Sequence, residues 1–174
     1  MPSQRKLGRA TDQRKAVLKS LVTSLFQYGK IETTEARAKE VKKIADRLIS
    51  IAIKEKDNFT SKQDKISSAR LDSAGRKITK SATSKGGKKF EVVDREEKTD
   101  MVTVDNPSRL NARRKMMNWL YRVSDSEGNR IDLADKIFNE LAPKYKDRSG
   151  GYTRIYKLGN RRGDAAEIVI LELV

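Results

Sequence analysis

Residues 55–106 separate two regular parts of the sequence and offer little from which to build a hydrophobic core. Few large apolar side chains occur before Gly87, and residues 65–89 hold eight basic residues and one acidic residue. Such a composition cannot bury enough apolar surface to order itself alone. Two β-favouring runs then predict a hairpin over 90–104. We therefore expect an inserted extension at 55–106, and a single domain made of 1–54 and 107–174.

The first part has the helical spacing of two amphipathic helices around a short strand. Apolar residues from Leu18 to Phe26 predict a helix over 11–28, which Thr11 or Asp12 can cap and Gly29 can end. The stretch 30–34, KIETT, predicts a strand. Thr34 is then expected to cap a second helix, whose apolar face reaches Ala52 and whose opposite face is basic.

The second part predicts two further helices and two strands. Pro107 begins the third helix, whose expected apolar stripe is Leu110, Met117, Leu120 and Tyr121, with Met116 and Val123 alongside. The fourth helix covers 132–142 and Pro143 ends it. The strands YTRIYKL and AAEIVILEL are joined by GNRRGD, and pairing with KIETT would give three strands. The expected fold is α+β with two layers, in the order α-β-α(3)-β(2), a small sheet packed on helices.

The charge of the chain limits its partners. Lys and Arg number 39 against 24 Asp and Glu, a net charge of +15, which favours nucleic acid or an anionic membrane as the partner. No apolar run approaches the ~20 residues of a membrane span, and no signal peptide is visible. Cys and His are both absent, which disfavours disulfides, zinc sites and triad chemistry. We expect a soluble cytoplasmic protein with no metal, cofactor or small-molecule substrate, and no adhesion role for Arg162-Gly163-Asp164.

Several cations occupy places that suit a phosphate ligand. Basic residues in the first turn of a helix oppose its dipole, and a bound phosphate reverses that cost. Glycines at the GNRRGD turn allow close approach, and adjacent arginines can bind phosphate bidentately. Alternation in YTRIYKL can present tyrosines for base stacking around a cation. Each feature also has an ordinary explanation: a solvated loop, tyrosines at the edge of the core, or a hydrated basic face.

Enzymatic chemistry finds no support in the motifs. The segment GGKK lacks the spacing of a phosphate-cradling loop, and no GxGxxG occurs. We therefore expect a protein that is not an enzyme. Composition alone also permits a nucleoid-type DNA-binding protein, whereas the lack of catalytic motifs disfavours a second alternative, an RNA-modifying enzyme.

Several long motifs resemble one known family. The segments RKLGR, VTSLF, KIETT, NARRK, LAPKY and GGYTRIYKLGNRRGDAAE, in this order, are similar to bacterial large-subunit ribosomal protein seventeen. The resemblance covers residues 5–54 and 108–174. It implies a structural protein of the large subunit near the exit of the peptide tunnel, in contact with ribosomal RNA and neighbouring ribosomal proteins. The expected RNA-binding residues are Arg5, Lys6, Arg9, Arg14, Lys15, Arg113, Arg114, Tyr152, Arg154, Arg161 and Arg162.

Three departures from the family pattern qualify this expectation. The arm begins MPSQ, where the family has an Arg-His-Arg run. Gln13 and Asn160 replace a family histidine and a family proline. Residues 55–106 replace a short link, so no family function transfers to them. We expect the basic part of the insertion to contact RNA and its acidic part to face solvent or a basic protein, with a passive surface insertion as the alternative.

Overall fold

The computed structural model describes residues 5–125 and 127–174. The start of the predicted first domain, MPSQ, and Ser126, which lies between the predicted third and fourth helices, are outside the described residues. In chain order, the elements are α1 (Thr11–Tyr28), β1 (Lys30–Thr34), α2 (Glu35–Glu55), β2 (Phe59–Ala69), β3 (Thr79–Thr83), β4 (Lys89–Val93), β5 (Arg95–Asp105), α3 (Pro107–Met117), β6 (Val123–Ser124), β7 (Arg130–Ile131), α4 (Leu133–Lys136), a π-helical turn (Ile137–Leu141), α5 (Ala142–Lys144), β8 (Thr153–Asn160) and β9 (Glu167–Leu173).

The chain divides into two compact units. Unit 1 contains the described residues up to Asn58 together with Asp105–Val174, and unit 2 is Phe59–Val104. Helices and small antiparallel sheets together confirm the α+β class.

The core of unit 1 lies between its helices and one face of its sheet. Leu18, Val22, Leu25 and Phe26 of α1 are buried, as their helical spacing predicts. In α2 the buried face runs from Ala38 to Ala52, and the helix continues to Glu55. Burial of these apolar side chains is the main favourable term in folding. The helices predicted at 11–28 and after Thr34 are therefore confirmed.

The predicted caps of the first two helices do not form. Ala10, rather than Thr11 or Asp12, precedes the first turn of α1, and its side chain makes no capping hydrogen bond. Thr34 does precede α2, but its hydroxyl does not bond to the helix either. Gly29 ends α1 as expected: its φ is 79° and its N–H donates to Leu25 O at 2.8 Å.

Unit 1 has a three-stranded antiparallel sheet with the order β1-β9-β8. Directly opposed residues share a face, so Ile31 and Ile155 lie on the same side of the sheet as Leu171. Val169 and Leu171 are fully buried, which makes this side the core face. The other face carries Tyr156 opposite Ile170 and Arg154 opposite Glu172. The strand order thus fixes which side chains of β8 remain outside the core.

Helix α3 buries a different face from the predicted one. Arg109, Ala112 and Met116 are buried, whereas Leu110 and Met117 are exposed. The helix ends at Met117, so Tyr121 lies beyond it and is also exposed. Met116, expected alongside the stripe, is buried, but the stripe itself was wrong because apolar spacing cannot select an arginine for the buried face. Here Asp105 pairs with Arg109 at 3.1 Å and the ring of Phe138 lies beneath the guanidinium, so a cation occupies a core-facing position.

The fourth helical region is interrupted rather than ended by proline. Asp132 caps it, accepting from the N–H groups of Ala134 and Asp135. A π-helical turn then brings the Ala142 N–H to Ile137 O, and Pro143 lies inside the following turn. Proline has no N–H to donate within a helix. In the wider turn just ahead of Pro143, the backbone N–H bonds to the carbonyl five residues earlier instead of four. The small pair β6 and β7 precedes this region and adds two strands to the expected order.

Unit 2 consists of paired strands. β2 pairs with β5, and β3 pairs antiparallel with β4. The hairpin predicted over 90–104 is therefore wrong: its two runs belong to β4 and β5, and each pairs with a strand from the region that was expected to lack order. No residue of Phe59–Val104 is buried, so backbone hydrogen bonds, rather than apolar packing, form these ribbons.

Candidate nucleic-acid interface

The loop between β8 and β9 holds its two arginines in different states. The guanidinium of Arg161 donates to both carboxylate oxygens of Asp164, from Nε at 2.8 Å and from Nη2 at 2.6 Å. Backbone bonds close the same loop, from the Arg161 N–H to Ala166 O and from the Ala165 N–H to Arg161 O. Arg162 is exposed and has no ion pair in the described part of the chain. Of the two arginines, Arg162 is the one whose charge no carboxylate of the described chain neutralises.

The Arg161–Asp164 pair shifts the titration of both groups. The side-chain hydrogen bond from Arg161, followed by the backbone N–H of Ala166, lowers the pKa of Asp164 to about 2. The same hydrogen bond raises the pKa of Arg161. A carboxylate that accepts charge-assisted hydrogen bonds is stabilised in its ionised form. The loop is thus held closed by the Arg161–Asp164 ion pair at neutral pH, and the Asp of the Arg-Gly-Asp sequence is engaged inside the loop.

The outer face of the sheet places an aromatic ring beside a cation. Arg154 and Tyr156 are two residues apart on β8 and both are exposed. Tyr152, the other tyrosine expected to stack beside Arg154, does not lie on this face. Tyr152 precedes β8, is 4% exposed, contacts the ring of Tyr145 and donates its hydroxyl to Arg148 O. Tyr152 is therefore a core residue in this structure, and its ring offers no face to a base.

The N-terminal arm displays three cations around a partly buried leucine. Leu7 packs against the core of unit 1, and Leu7 and Gly8 both have positive φ, at 55° and 63°. The arm is a turn closed by the Arg9 N–H on Lys6 O at 3.3 Å. Arg5, Lys6 and Arg9 are all exposed around it. One apolar contact thus holds the start of the described chain against the fold while its cations face outward.

The first turn of α1 and the centre of α3 carry the remaining predicted cations. Lys15 is exposed and Arg14 is half-buried. Arg114 is exposed, and none of these three has an ion pair among the described residues. Arg113 differs: its guanidinium bonds to Asp105 at 3.0 Å and to Asp135 at 2.5 Å, and lies 5.5 Å from the ring centroid of Phe138. Burial lowers the pKa of Arg113, but the hydrogen bonds to Asp135 and Asp105 outweigh it, so its pKa is raised.

Two grooves bring further cations into view that the sequence analysis did not select. One groove beside the 161–166 loop is lined by Arg37 and Arg161. The other lies between α2 and α3, where Arg47 and Lys115 flank the partly buried Trp119. The basic face of α2 was visible in the sequence and was interpreted as hydrated surface. Its juxtaposition with α3 depends on tertiary packing, which no local sequence pattern predicts.

The described residues include no group of three or more acidic side chains that could hold a metal ion. Among the described helices, none is both long enough and apolar enough to cross a membrane. What the described surface does offer is a set of exposed cations held on a rigid frame. The fold and the site together define a basic α+β protein suited to a polyanionic ligand.

Comparisons with known proteins identify the family. The family model for Ribosomal protein L17 matches residues 17–174, and the chain belongs to that family. Over 174 residues the chain is 71% identical to the large ribosomal subunit protein bL17 of Acetivibrio thermocellus and 70% identical to that of Ruminiclostridium cellulolyticum, and both comparisons cover each chain completely. It is 38% identical to the bL17 protein of Clostridium botulinum, again over the whole of both chains.

These matches confirm the resemblance to bacterial large-subunit ribosomal protein seventeen. Members of the family are structural components of the ribosome, so the expectation of a protein that is not an enzyme is also confirmed. The two relatives near 70% identity match along the whole chain, and residues 55–106 therefore have a counterpart in them.

Proposed function

We propose that this protein is a structural constituent of the large ribosomal subunit in the cytoplasm, where it binds ribosomal RNA and stabilises subunit assembly near the exit of the peptide tunnel. Its RNA contacts are the N-terminal arm, the first turn of α1, Arg114 of α3, Arg154 of β8 and the 161–166 loop. Its other partners are neighbouring large-subunit proteins. The relatives' names support the subunit, and the resemblance noted in the sequence supports the location.

The observation that carries the proposal is uncompensated positive charge at the predicted positions. Eight of the eleven predicted residues have no ion pair in the described part of the chain. They are Arg5, Lys6, Arg9, Arg14, Lys15, Arg114, Arg154 and Arg162. Cations that no carboxylate neutralises repel one another, and phosphate is the ligand that relieves this repulsion.

Arg161, Arg113 and Tyr152 have other roles in the proposal. Arg161 fixes the loop through Asp164 and still has N–H groups that can reach a phosphate. Arg113 and Tyr152 stabilise the fold that holds the contacts in place, and we omit them from the RNA-binding set. If about six phosphates are engaged, affinity for isolated RNA should fall on the order of a thousandfold from 50 to 200 mM salt.

The test compares two double variants with the same change in net charge. Arg154→Ala with Arg162→Ala removes two cations that have no ion pair among the described residues. Lys39→Ala with Lys157→Ala removes two cations paired to Glu35 and Glu167. The slope of log K against log salt is negative, and each lost phosphate contact should make it less steep by about 0.7 to 0.9. Filter binding to large-subunit ribosomal RNA at several salt concentrations measures this slope.

We expect the slope to become less steep by about 1.4 to 1.8 in the double arginine variant and to stay nearly unchanged in the double lysine variant. Equal slopes for the two double variants would contradict the proposed contacts. Duplex DNA of equal length serves as a second ligand. Comparable retention of the wild-type protein on duplex DNA and on ribosomal RNA would favour the nucleoid-type alternative.

A further inference from the structure

The hairpin inside unit 2 carries positive charge that the rest of unit 2 does not share. This inner hairpin comprises β3, the turn at 84–88 and β4. Residues 71–93, which include it, contain six basic and two acidic residues, whereas the remaining residues of unit 2 contain five of each. The charge of unit 2 is therefore concentrated in its inner hairpin.

The two parts also differ in how their cations are neutralised. In the β2 and β5 ribbon, Lys65 pairs with Glu97, and Arg70 pairs with both Asp94 and Glu96. In the inner hairpin, Lys80 pairs with Asp94. The three lysines at its turn, Lys85, Lys88 and Lys89, are exposed and have no ion pair within the described chain.

The turn beside these lysines is closed by its own backbone hydrogen bonds and is sterically accessible. The Gly87 N–H donates to Ser84 O at 2.9 Å, and the Ser84 N–H donates to Lys88 O at 2.9 Å. Gly87 has a φ of 78°, and no atom lies within 4 Å of the position that its Cβ would take. A phosphate backbone can therefore approach this turn without a steric barrier.

One face of the inner hairpin is apolar and uncovered within unit 2. The register places Ala82 opposite Phe90 and Lys80 opposite Val92, so these four side chains share a face. Phe90 is 49% exposed and Val92 is 44% exposed. An isolated two-stranded ribbon is marginally stable in water, and here no buried side chain supports it. A bound partner would supply the missing burial.

We propose that the inner hairpin is a second RNA-binding element, in which Lys85, Lys88 and Lys89 bind phosphates and Phe90 stacks on an unpaired base of large-subunit ribosomal RNA. The charge selects RNA over a protein surface, because three cations without an ion pair among the described residues precede Phe90 in the turn and at the start of β4, and an exposed Phe suits the π-face of any base. The proposal rests on the proposed function for the identity of the RNA and assigns a role to an insertion that the family comparison leaves unexplained.

The first experiment measures the salt dependence of binding to purified large-subunit ribosomal RNA with the full-length protein. The test variant is Lys85→Ala, Lys88→Ala and Lys89→Ala together. The matched control is Lys62→Ala, Lys65→Ala and Lys98→Ala, which changes the net charge equally within the same unit. We expect the slope of log K against log salt to fall by about 2 to 3 for the test variant, and by less than one for the control. Equal slopes would overturn the proposal.

The second experiment identifies what lies against Phe90 in the assembled particle. A photo-crosslinking amino acid replaces Phe90 in the cell, and large subunits are isolated and irradiated. We expect a crosslink to ribosomal RNA. A crosslink to a ribosomal protein, or no crosslink in subunits that contain the protein, would overturn the assignment. Phe90→Ala should weaken RNA binding about tenfold, whereas Phe90→Trp should retain it.

The outcomes separate this proposal from the proposed function. If the wild-type protein binds RNA with the expected difference between the triple variants but does not enter large subunits, the proposed function fails and the hairpin remains an RNA-binding element. If the triple variants have equal slopes while the wild-type protein enters large subunits, only the hairpin proposal fails.

Discussion

Arg113→Ala should destabilise unit 1 without changing the salt dependence of RNA binding. The substitution removes a hydrogen-bonded ion pair with Asp105, an ion pair with Asp135 and a cation–π contact with Phe138. The Asp105 carboxylate is 18% exposed, so that pair is worth about 1.5 kcal/mol. The Asp135 carboxylate is 48% exposed, and solvent screening reduces its pair to about 0.5 kcal/mol. The cation–π contact adds about 0.5 kcal/mol.

The expected loss is therefore about 2.5 kcal/mol, or a fall in Tm of about 5 to 10 °C for a chain of this size. Thermal unfolding followed by circular dichroism measures it. The control is Arg114→Ala, which removes an exposed neighbouring arginine without an ion pair in the described structure and should leave Tm nearly unchanged. Equal Tm values for the two variants, or a lower RNA-binding slope for Arg113→Ala, would refute the structural role given to Arg113.

A pH titration tests the loop, and two substitutions test the core. Because the folded-state pKa of Asp164 is lowered to about 2, its ion pair should stabilise the loop above the usual carboxyl range and lose that effect as pH falls through about 2. An NMR titration of the Asp164 carboxyl carbon checks this, and a midpoint near 4 would contradict it. Met116→Ala should cost about 3 kcal/mol, because Met116 is fully buried, whereas Met117→Ala, at a position that is 48% exposed, should cost less than about 0.5 kcal/mol. Urea unfolding of both variants measures the difference, and similar losses would show that α3 presents another face to the core.

The helices and strands of unit 1 were predictable where one periodicity decided the structure. The helical spacing from Leu18 to Phe26 defines a buried face without reference to the rest of the chain, and the apolar run 168–171 marks a strand but does not decide which of its faces is buried. In α3 this reasoning failed, because the buried face includes Arg109. Its burial depends on Asp105, which β5 supplies, and on Phe138, which lies in the π-helical turn. A local pattern contains no information about such distant partners.

Strand pairing in unit 2 could not be predicted from the sequence for a related reason. The apolar runs that contain Phe90 and Met101 suggested a local hairpin, because neighbouring runs often pair. The structure instead pairs β4 with β3 and β5 with β2. Since no residue of this unit is buried, no apolar face specifies the register from the sequence.

The candidate site was predictable in kind but only partly by residue. Charge and glycine placement selected the arm and the 161–166 loop, and the structure places exposed cations at both. Sequence alone did not distinguish Arg162 from Arg161, because the difference depends on the Asp164 carboxylate facing one guanidinium. It likewise could not separate Tyr152 in the core from Tyr156 on the outer face, since the strand begins between them, at Thr153.

Sucrose-gradient sedimentation of the tagged protein from growing cells tests the central claim most directly. The account predicts that the protein sediments with the large ribosomal subunit, and that the Arg154→Ala and Arg162→Ala double variant is displaced by wild-type protein in a competition for incorporation. Recovery of the wild-type protein only in the light fractions, or with chromosomal DNA, would contradict it.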